Sequence, residues 1–379
     1  MNKNRISISE PQLSNEELKY IKEAFTRNEF SSYGLNIDIF EFQLQVFLGT
    51  QKEVTVLNSG TSAIHLGLIL AGVEAGDEVV CQSMTFSAST NPIVYQGAIP
   101  VFVDSEEETW NICPNHLEKA IVGRIANGKK PKAIVLVHSY GMPAKVDEII
   151  DIAKKYKITL IEDAAEALGS IYKDKKCGTF GKYAALSFNG NKIITTSGGG
   201  AIVCHSKEAK DKAIFLATQA RDDAPHYQHS EIGYNYRMSN IVAGIGRGQM
   251  EVLDKHILLR REMHKFYKSI FKNIAGVKVF EEPDDNYYSN HWLSCIIIDE
   301  SIAKFNREDL RLALLKENIE SRPLWKPMHL QPVFEEYPYY GNDLCENLFK
   351  NGLCLPSGSN LTEKEKALIK KTIINYVNC

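Results

Sequence analysis

The sequence predicts an α/β protein: a large domain with a mostly parallel central sheet covered by helices, then a smaller C-terminal α+β domain. Three observations predict it. From about residue 54, short apolar runs alternate with segments of helical spacing. The strand-like runs are apolar throughout, as parallel strands buried on both faces are. After about residue 249 the alternation gives way to one long helical pattern. At 379 residues the chain exceeds a single small core, which fits two domains, 1–249 and 250–379.

In chain order, "VTVL" (54–57) is a β-branched strand, and "SGTSAIHLGLILAG" (59–72) follows with helical spacing and a closing glycine. "DEVVCQ" (77–82) reads as a strand, "STNPIVYQG" (89–97) as a helix and "IPVFVD" (99–104) as a strand. "AIVLVH" (133–138), "KVDEIIDIAKKY" (145–156) and "ITLIED" (158–163) repeat the strand–helix–strand order. The stretch from Gln249 to Gly276 reads as one connecting helix into the second domain. There "HWLSCIIID" is a strand and "NREDLRLALLKENI" a helix, and Thr362 with Glu365 forms a capping-box spacing before the last helix. In such sheets the chemistry collects where strands end and loops begin.

Composition narrows the function classes. The chain is 44% hydrophobic and 24% charged, with a formal net charge of -3. There is no basic excess for nucleic acid and no run of roughly 20 apolar residues to cross a bilayer. The N-terminus is polar and lacks the apolar core of a secretory signal. Eight cysteines lie singly, with no C-x-x-C pair. They read as free thiols of a cytoplasmic protein and imply neither zinc nor disulfides.

Three stretches carry chemistry. In "NSGTSAIHLGL", Ser59, Gly60 and Thr61 leave a strand and open a helix, which makes a phosphate site or simply an N-cap. The stretch has neither the P-loop pattern nor G-x-G-x-x-G, which excludes an ATP-type P-loop and argues against a dinucleotide fold. In "ITLIEDAAEALGS", Asp163 ends an apolar strand, where it pairs with a protonated ring nitrogen, binds a metal or caps the next helix. In "SFNGNKIITTSGGG", Ser187 precedes Lys192 by five residues at a strand exit. A lysine held near an acid and a phosphate cradle suits Schiff-base chemistry. The glycines at 198–200 allow a tight turn under a flat ring or a plain β-turn. Phosphate site, acid and lysine, in that order, are what pyridoxal phosphate requires. No metal is expected. Farther on, "SRPLWKPMHLQPVF" offers Arg322, Trp325, Lys326, His329 and Gln331 to a diphosphate, a base or a sugar, and Arg237 is a further candidate for a phosphate or carboxylate.

With "NSGTSA", "MTFSAS", "EDAAEALG", "SFNGNK" and "GYNYRMSN", the chain resembles the DegT/StrS-type sugar aminotransferases, fold-type I pyridoxal phosphate enzymes, over almost its whole length. The resemblance implies a homodimer with active sites at the subunit interface, moving an amino group from L-glutamate to a nucleotide-linked keto sugar. It makes Lys192 the Schiff-base lysine and Asp163 the partner of the ring nitrogen. Glu166 falls where the family often has Gln or His near the ring oxygen. Gly60, Thr61 and Ser187 match phosphate contacts, Phe86 the aromatic stacked on the ring, and His329 a substrate-side histidine. Asn235 matches a residue that reaches the phosphate from the other subunit. The chain departs from the family in reading "TTSGGG" where "TTGEGG" is common, and in the carboxylate of Glu166. Some relatives carry histidine at the lysine position and resemble dehydratases, so Lys192 implies transamination. The stretches "SRPLWKPMHLQPVF" and "SFNGNK" are most similar to enzymes that aminate C4 of UDP-linked 4-keto-6-deoxy-N-acetylhexosamines. A GDP-linked 4-keto sugar of the perosamine type and a dTDP-linked 3-keto sugar are the alternatives. A cofactor-binding regulatory paralogue without turnover is the alternative of another class.

Overall fold

The computed structural model describes residues 5–377. The strands are β1 (Glu53–Leu57), β2 (Glu78–Gln82), β3 (Ile99–Val103), β4 (Ala133–Val137), β5 (Thr159–Asp163), β6 (Ile171–Tyr172), β7 (Lys175–Lys176), β8 (Tyr183–Ser187), β9 (Gly200–Cys204), β10 (Val277–Val279), β11 (Tyr287–Tyr288), β12 (Ser294–Ile298), β13 (Arg322–Pro323), β14 (Tyr339–Tyr340) and β15 (Gly352–Leu355). Eight of them form the main sheet in the order β1-β9-β8-β5-β4-β2-β3-β14. From β8 to β14 every neighbouring pair is parallel, whereas β9 runs antiparallel to both β8 and β1. This is the α/β fold expected, with one reversed strand inside it.

Register levels the strand ends that matter. Gly200 opens β9 opposite both Leu57 of β1 and Ser187 of β8, and Asp163 of β5 pairs with Val137 of β4 and Ala185 of β8. The helix Gly60–Leu70 lies on the sheet with Ile64, Leu66 and Leu68 fully buried. Its apolar faces, like the continuous Val and Ile runs of the strands, leave water together, which is the main source of stability for such a layer.

The long pattern from Gln249 is not one helix. A helix over Asn240–Met250 ends, Glu251 and Val252 turn, and a second helix runs Leu253–Phe271. Met263, Tyr267 and Ile270 of that helix pack on the antiparallel sheet β10-β12-β15-β13 together with Leu310 and Ile369. At the start of the last helix, Glu363–Val377, Thr362 and Glu365 exchange the reciprocal hydrogen bonds of a capping box. The division at 249/250 is crossed at several places, among them β11, which pairs with β6. Ile6 bridges Ile319 and joins the core of the smaller part, while β14 adds to the edge of the main sheet beside β3. The seven described cysteines are free thiols, and Cys379 lies outside the described residues. Among the described residues, no helix is long and apolar enough to cross a membrane.

Candidate active site

A cavity of about 520 Å³ opens at the carboxyl ends of β1, β5 and β8. At one end lie Ser59, Gly60, Thr61 and Ser187. Ser59 adopts an extended backbone and its hydroxyl accepts the Ser62 amide at 3.0 Å, so the amides of Gly60 and Thr61 are left without an intrahelical acceptor. Close approach is built into this corner. A Cβ on Gly60 would lie 3.0 Å from the Ser187 Cβ, and one on Gly200 would lie 2.4 Å from the Gly60 nitrogen. The last residue of the glycine run is therefore fixed by the helix start it passes, and the corner has the character of an anion cradle.

The carboxyl of Asp163 is 4% exposed. Ser89 Oγ donates to its Oδ2 at 2.6 Å and the Ala165 amide to its Oδ1 at 3.1 Å. Burial raises its pKa, and among the described residues no cation reaches ion-pair distance. A cation presented from the cavity would favour the charged carboxylate and pull its pKa back down. The neighbouring Glu162 faces the other side of the sheet, as strand alternation requires. It accepts His138 Nε2 at 2.9 Å, the Phe180 amide at 2.8 Å, the Gly181 amide at 3.1 Å and the Gly178 amide. His138 and Glu162, with Cys177, are grouped closely enough to suggest a metal. However, His138 Nδ1 accepts the Ala144 amide at 3.0 Å, which puts the ring proton on Nε2 and leaves no lone pair for an ion.

Lys192 Nζ reaches Glu166 Oε1 at 3.0 Å and sits 4.3 Å from the centre of the Trp292 ring. Glu166 Oε2 accepts the Tyr140 amide at 2.9 Å. Burial pushes the Glu166 carboxyl up to about 7, with Lys192 opposing the shift. Tyr140 takes the left-handed region, at φ 57°, and its hydroxyl accepts the Trp325 amide at 2.9 Å. The Tyr140 and Trp325 rings stack at 4.5 Å, and Phe86 stands 6.4 Å from Trp325, more than half exposed at the cavity wall.

The structure thus brings Gly60, Thr61, Phe86, Asp163, Glu166, Ser187, Lys192, Arg322 and Trp325 to one cavity. Arg322 lies exposed at its mouth, its guanidinium on Glu320 Oε1 at 2.8 and 2.5 Å. Arg237, Lys326, His329 and Asn235 are not on its wall. Arg237 Nη1 is taken by Glu41 at 2.6 Å, Thr55 Oγ1 at 2.7 Å and the Val56 carbonyl at 3.0 Å, which makes it part of a structural ion pair. His329 has both ring nitrogens engaged, Nδ1 with Ser83 at 2.6 Å and Nε2 with Glu346 at 3.1 Å, and it stacks on Tyr339 at 3.7 Å. The contact between Lys326 and Gln331 is local, the Gln331 side-chain Nε2 donating to the Lys326 carbonyl at 3.2 Å. Asn235 is exposed and its carbonyl accepts Asn58 Nδ2 at 3.1 Å. Sequence reading passed over Ser89, which orients Asp163, and Trp292, which faces the lysine. Ser89 sits inside "MTFSAS", three residues past the aromatic singled out there; nothing local marks Trp292.

The profile of the DegT/DnrJ/EryC1/StrS aminotransferase family matches residues 11–373. The chain belongs to this family. This aminotransferase is 47% identical over 375 residues to EpsN of Bacillus subtilis (strain 168), named provisionally as a pyridoxal phosphate-dependent aminotransferase, covering 98% of this chain and 95% of that one. It is 38% identical over 372 residues to the GDP-perosamine synthase of Escherichia coli O157:H7, covering 98% of each. The structure of a DegT DnrJ EryC1 StrS aminotransferase from Brucella abortus superposes with a TM-score of 0.89 at 28% identity, over 96% of both chains. The fold is therefore fold type I, the chain is an enzyme, and its cofactor is pyridoxal phosphate. The cavity fits that group: a helix start free of intrahelical acceptors for the phosphate, and a buried carboxylate without a cation for the ring nitrogen.

Proposed function

We propose that this enzyme transfers the amino group of L-glutamate to C4 of a nucleotide-linked 4-keto-6-deoxy sugar, with Lys192 as the residue that carries the proton. The observation behind the reading is the grouping of Lys192, Asp163 and the Ser59–Thr61 helix start around one cavity at the strand ends. Bound pyridoxal phosphate supplies an electron sink, which stabilises negative charge on the carbon that bears the amino group. The residues do the rest. Asp163 holds the positive ring nitrogen, and its own pKa falls as it does so. Gly60, Thr61 and Ser187 receive the phosphate. Lys192 Nζ, on the cavity side and only 12% exposed, takes the proton from the donor carbon in the first half-reaction. It returns a proton to the sugar carbon in the second, so the kinetics are ping-pong. Phe86 and Trp325 offer flat faces to ring and sugar, and Arg322 a cation at the mouth.

UDP is the nucleotide favoured by the motifs around Lys192 and Trp325. The E. coli relative favours the GDP-linked reading, which stands second. The proposal includes a homodimer in which Asn235 of the partner subunit reaches the phosphate. Its support is the exposed position of Asn235 and the exposed apolar side chains Phe25, Phe30, Phe42 and Val46 on and beside the helices Glu17–Thr26 and Leu35–Leu48. The test incubates the enzyme with glutamate and UDP-, GDP- and dTDP-linked keto sugars, reading products by mass and NMR. Amination of the UDP 4-keto sugar ahead of the others is the expected result, and preference for a GDP or dTDP sugar overturns the nucleotide assignment. Lys192→Ala in the same assay loses roughly a thousandfold or more in rate; wild-type turnover in that variant ends the lysine's role.

A further inference from the structure

Arg260, on the helix Leu253–Phe271, is the largest fully buried side chain among the described residues, at 1% exposure. Burial lowers its pKa to about 9, and among the described residues no carboxylate offsets its charge. A lone buried cation is costly, and chains keep one only where its hydrogen bonds hold something in place. Every acceptor of Arg260 is a neutral oxygen, and each comes from a different part of the chain. Nη1 donates to the Trp292 carbonyl at 2.6 Å. Nη2 donates to Ser9 Oγ at 2.8 Å and to the carbonyl of Lys192 at 3.4 Å.

These bonds continue around the lysine. Ser9 Oγ donates to the Asn191 carbonyl at 2.7 Å, and Trp292 Nε1 donates to the same carbonyl at 2.7 Å. The carbonyls of Asn191 and Lys192 are therefore both tethered, and the indole that holds the tether presents its face to Lys192 Nζ at 4.3 Å. Ser9 lines the cavity but Arg260 does not, so the guanidinium acts from behind the wall.

We propose that Arg260 is the positioning residue of Lys192: with Ser9 and Trp292 it clamps the 191–192 backbone so that Nζ leaves it in one direction, beside Glu166. The proposal rests on the reading of Lys192 as the lysine that bonds the cofactor. Nζ forms a bond to the aldehyde carbon of pyridoxal phosphate and the aldehyde oxygen leaves as water. A clamped lysine reaches that carbon faster than one free to swing.

The test mixes cofactor-free protein with pyridoxal phosphate, follows the absorbance change, and traps the product with borohydride for peptide mapping. In wild type the label sits on Lys192; a label elsewhere overturns the reading of Lys192 and leaves the clamp to be judged by turnover. In Arg260→Met the bonding rate falls roughly ten- to hundredfold. The sugar kcat falls with it and the sugar KM stays within about threefold of wild type. Arg260→Lys, which keeps the charge and one donor direction, restores part of the rate. Ser9→Ala, a small change at the cavity wall, lowers the rate several-fold. A purely structural arginine would instead lower the melting temperature and leave the bonding rate of folded protein unchanged. Folded Arg260→Met within twofold of the wild-type rate overturns the proposal. If Arg260→Met does not fold, the same limit is applied to Arg260→Lys, and to Ser9→Ala if neither arginine variant folds.

Discussion

Lys192 Nζ stands 3.0 Å from one oxygen of Glu166, while the other oxygen accepts the amide of the left-handed residue Tyr140 at 2.9 Å. The carboxylate thus joins the lysine to the turn that carries Trp325's hydrogen-bond partner. Where the resemblance led to the expectation of Gln or His, this chain has a group whose charge depends on pH.

Burial lifts Glu166 from an ordinary 4.5 to about 7. Between those values the folded chain holds a proton that the unfolded chain has lost. The stability linked to that proton is complete below about pH 4.5 and is lost as pH rises through about 7, at no more than ~1.4 kcal/mol per pH unit. Denaturant titrations of the cofactor-free protein across this window should show Glu166→Gln missing that one-proton slope. Identical slopes in both proteins would mean that Glu166 does not titrate there.

Asp163 is a buried carboxylate with hydrogen bonds from Ser89 and Ala165 and no resident cation. Asp163→Asn keeps the shape and one of the two accepted hydrogen bonds, puts an NH2 donor in place of the other oxygen, and removes the charge that favours a protonated ring. Turnover should fall roughly a hundredfold or more while the cofactor still loads. A loss below about threefold would show that the ring nitrogen draws nothing from this side chain.

Ser197 adopts φ 72° on the exposed turn before the glycines, where the resemblance has glycine, and only its amide is engaged, by Thr195 Oγ1 at 2.9 Å. Its side chain does not reach the cavity. Ser197→Gly relieves the left-handed strain and should stabilise by roughly 0.5–1 kcal/mol, less the added freedom of the unfolded chain. Chemical denaturation reads the gain, and a loss of stability would show that the serine side chain holds the turn.

The parallel sheet was legible because its central strands are self-contained apolar runs, as "AIVLVH" and "ITLIED" are, and β1 to β4 each have a helix before the next strand of the sheet. Lys192, Asp163 and Gly60 were legible for a related reason: each lies within a few residues of a strand end, so local sequence places it. What escaped depends on distance along the chain. Arg237 looked available until Glu41, on a helix nearly two hundred residues earlier, took its guanidinium. His329 looked free until Ser83 and Glu346 claimed both nitrogens. Arg260 sat inside a helical pattern as one more charged residue, and only tertiary packing reveals it as buried and uncompensated. The departure "TTSGGG" acquired a partial account: Gly200 is demanded by the backbone of Ser59 and Gly60, whereas a Cβ on Gly198 would meet nothing within 4 Å.

The segment from Ile6 to Ser9 ties the molecule together across its length. Ile6 bridges Ile319, the Ile8 amide reaches Glu320 Oε2 at 3.2 Å across 312 positions, and Ser9 closes on the backbone beside Lys192. The lysine's surroundings are therefore complete only once segments 312 positions apart have met, and closing so long a loop is a non-local step that the chain settles before Lys192 is held.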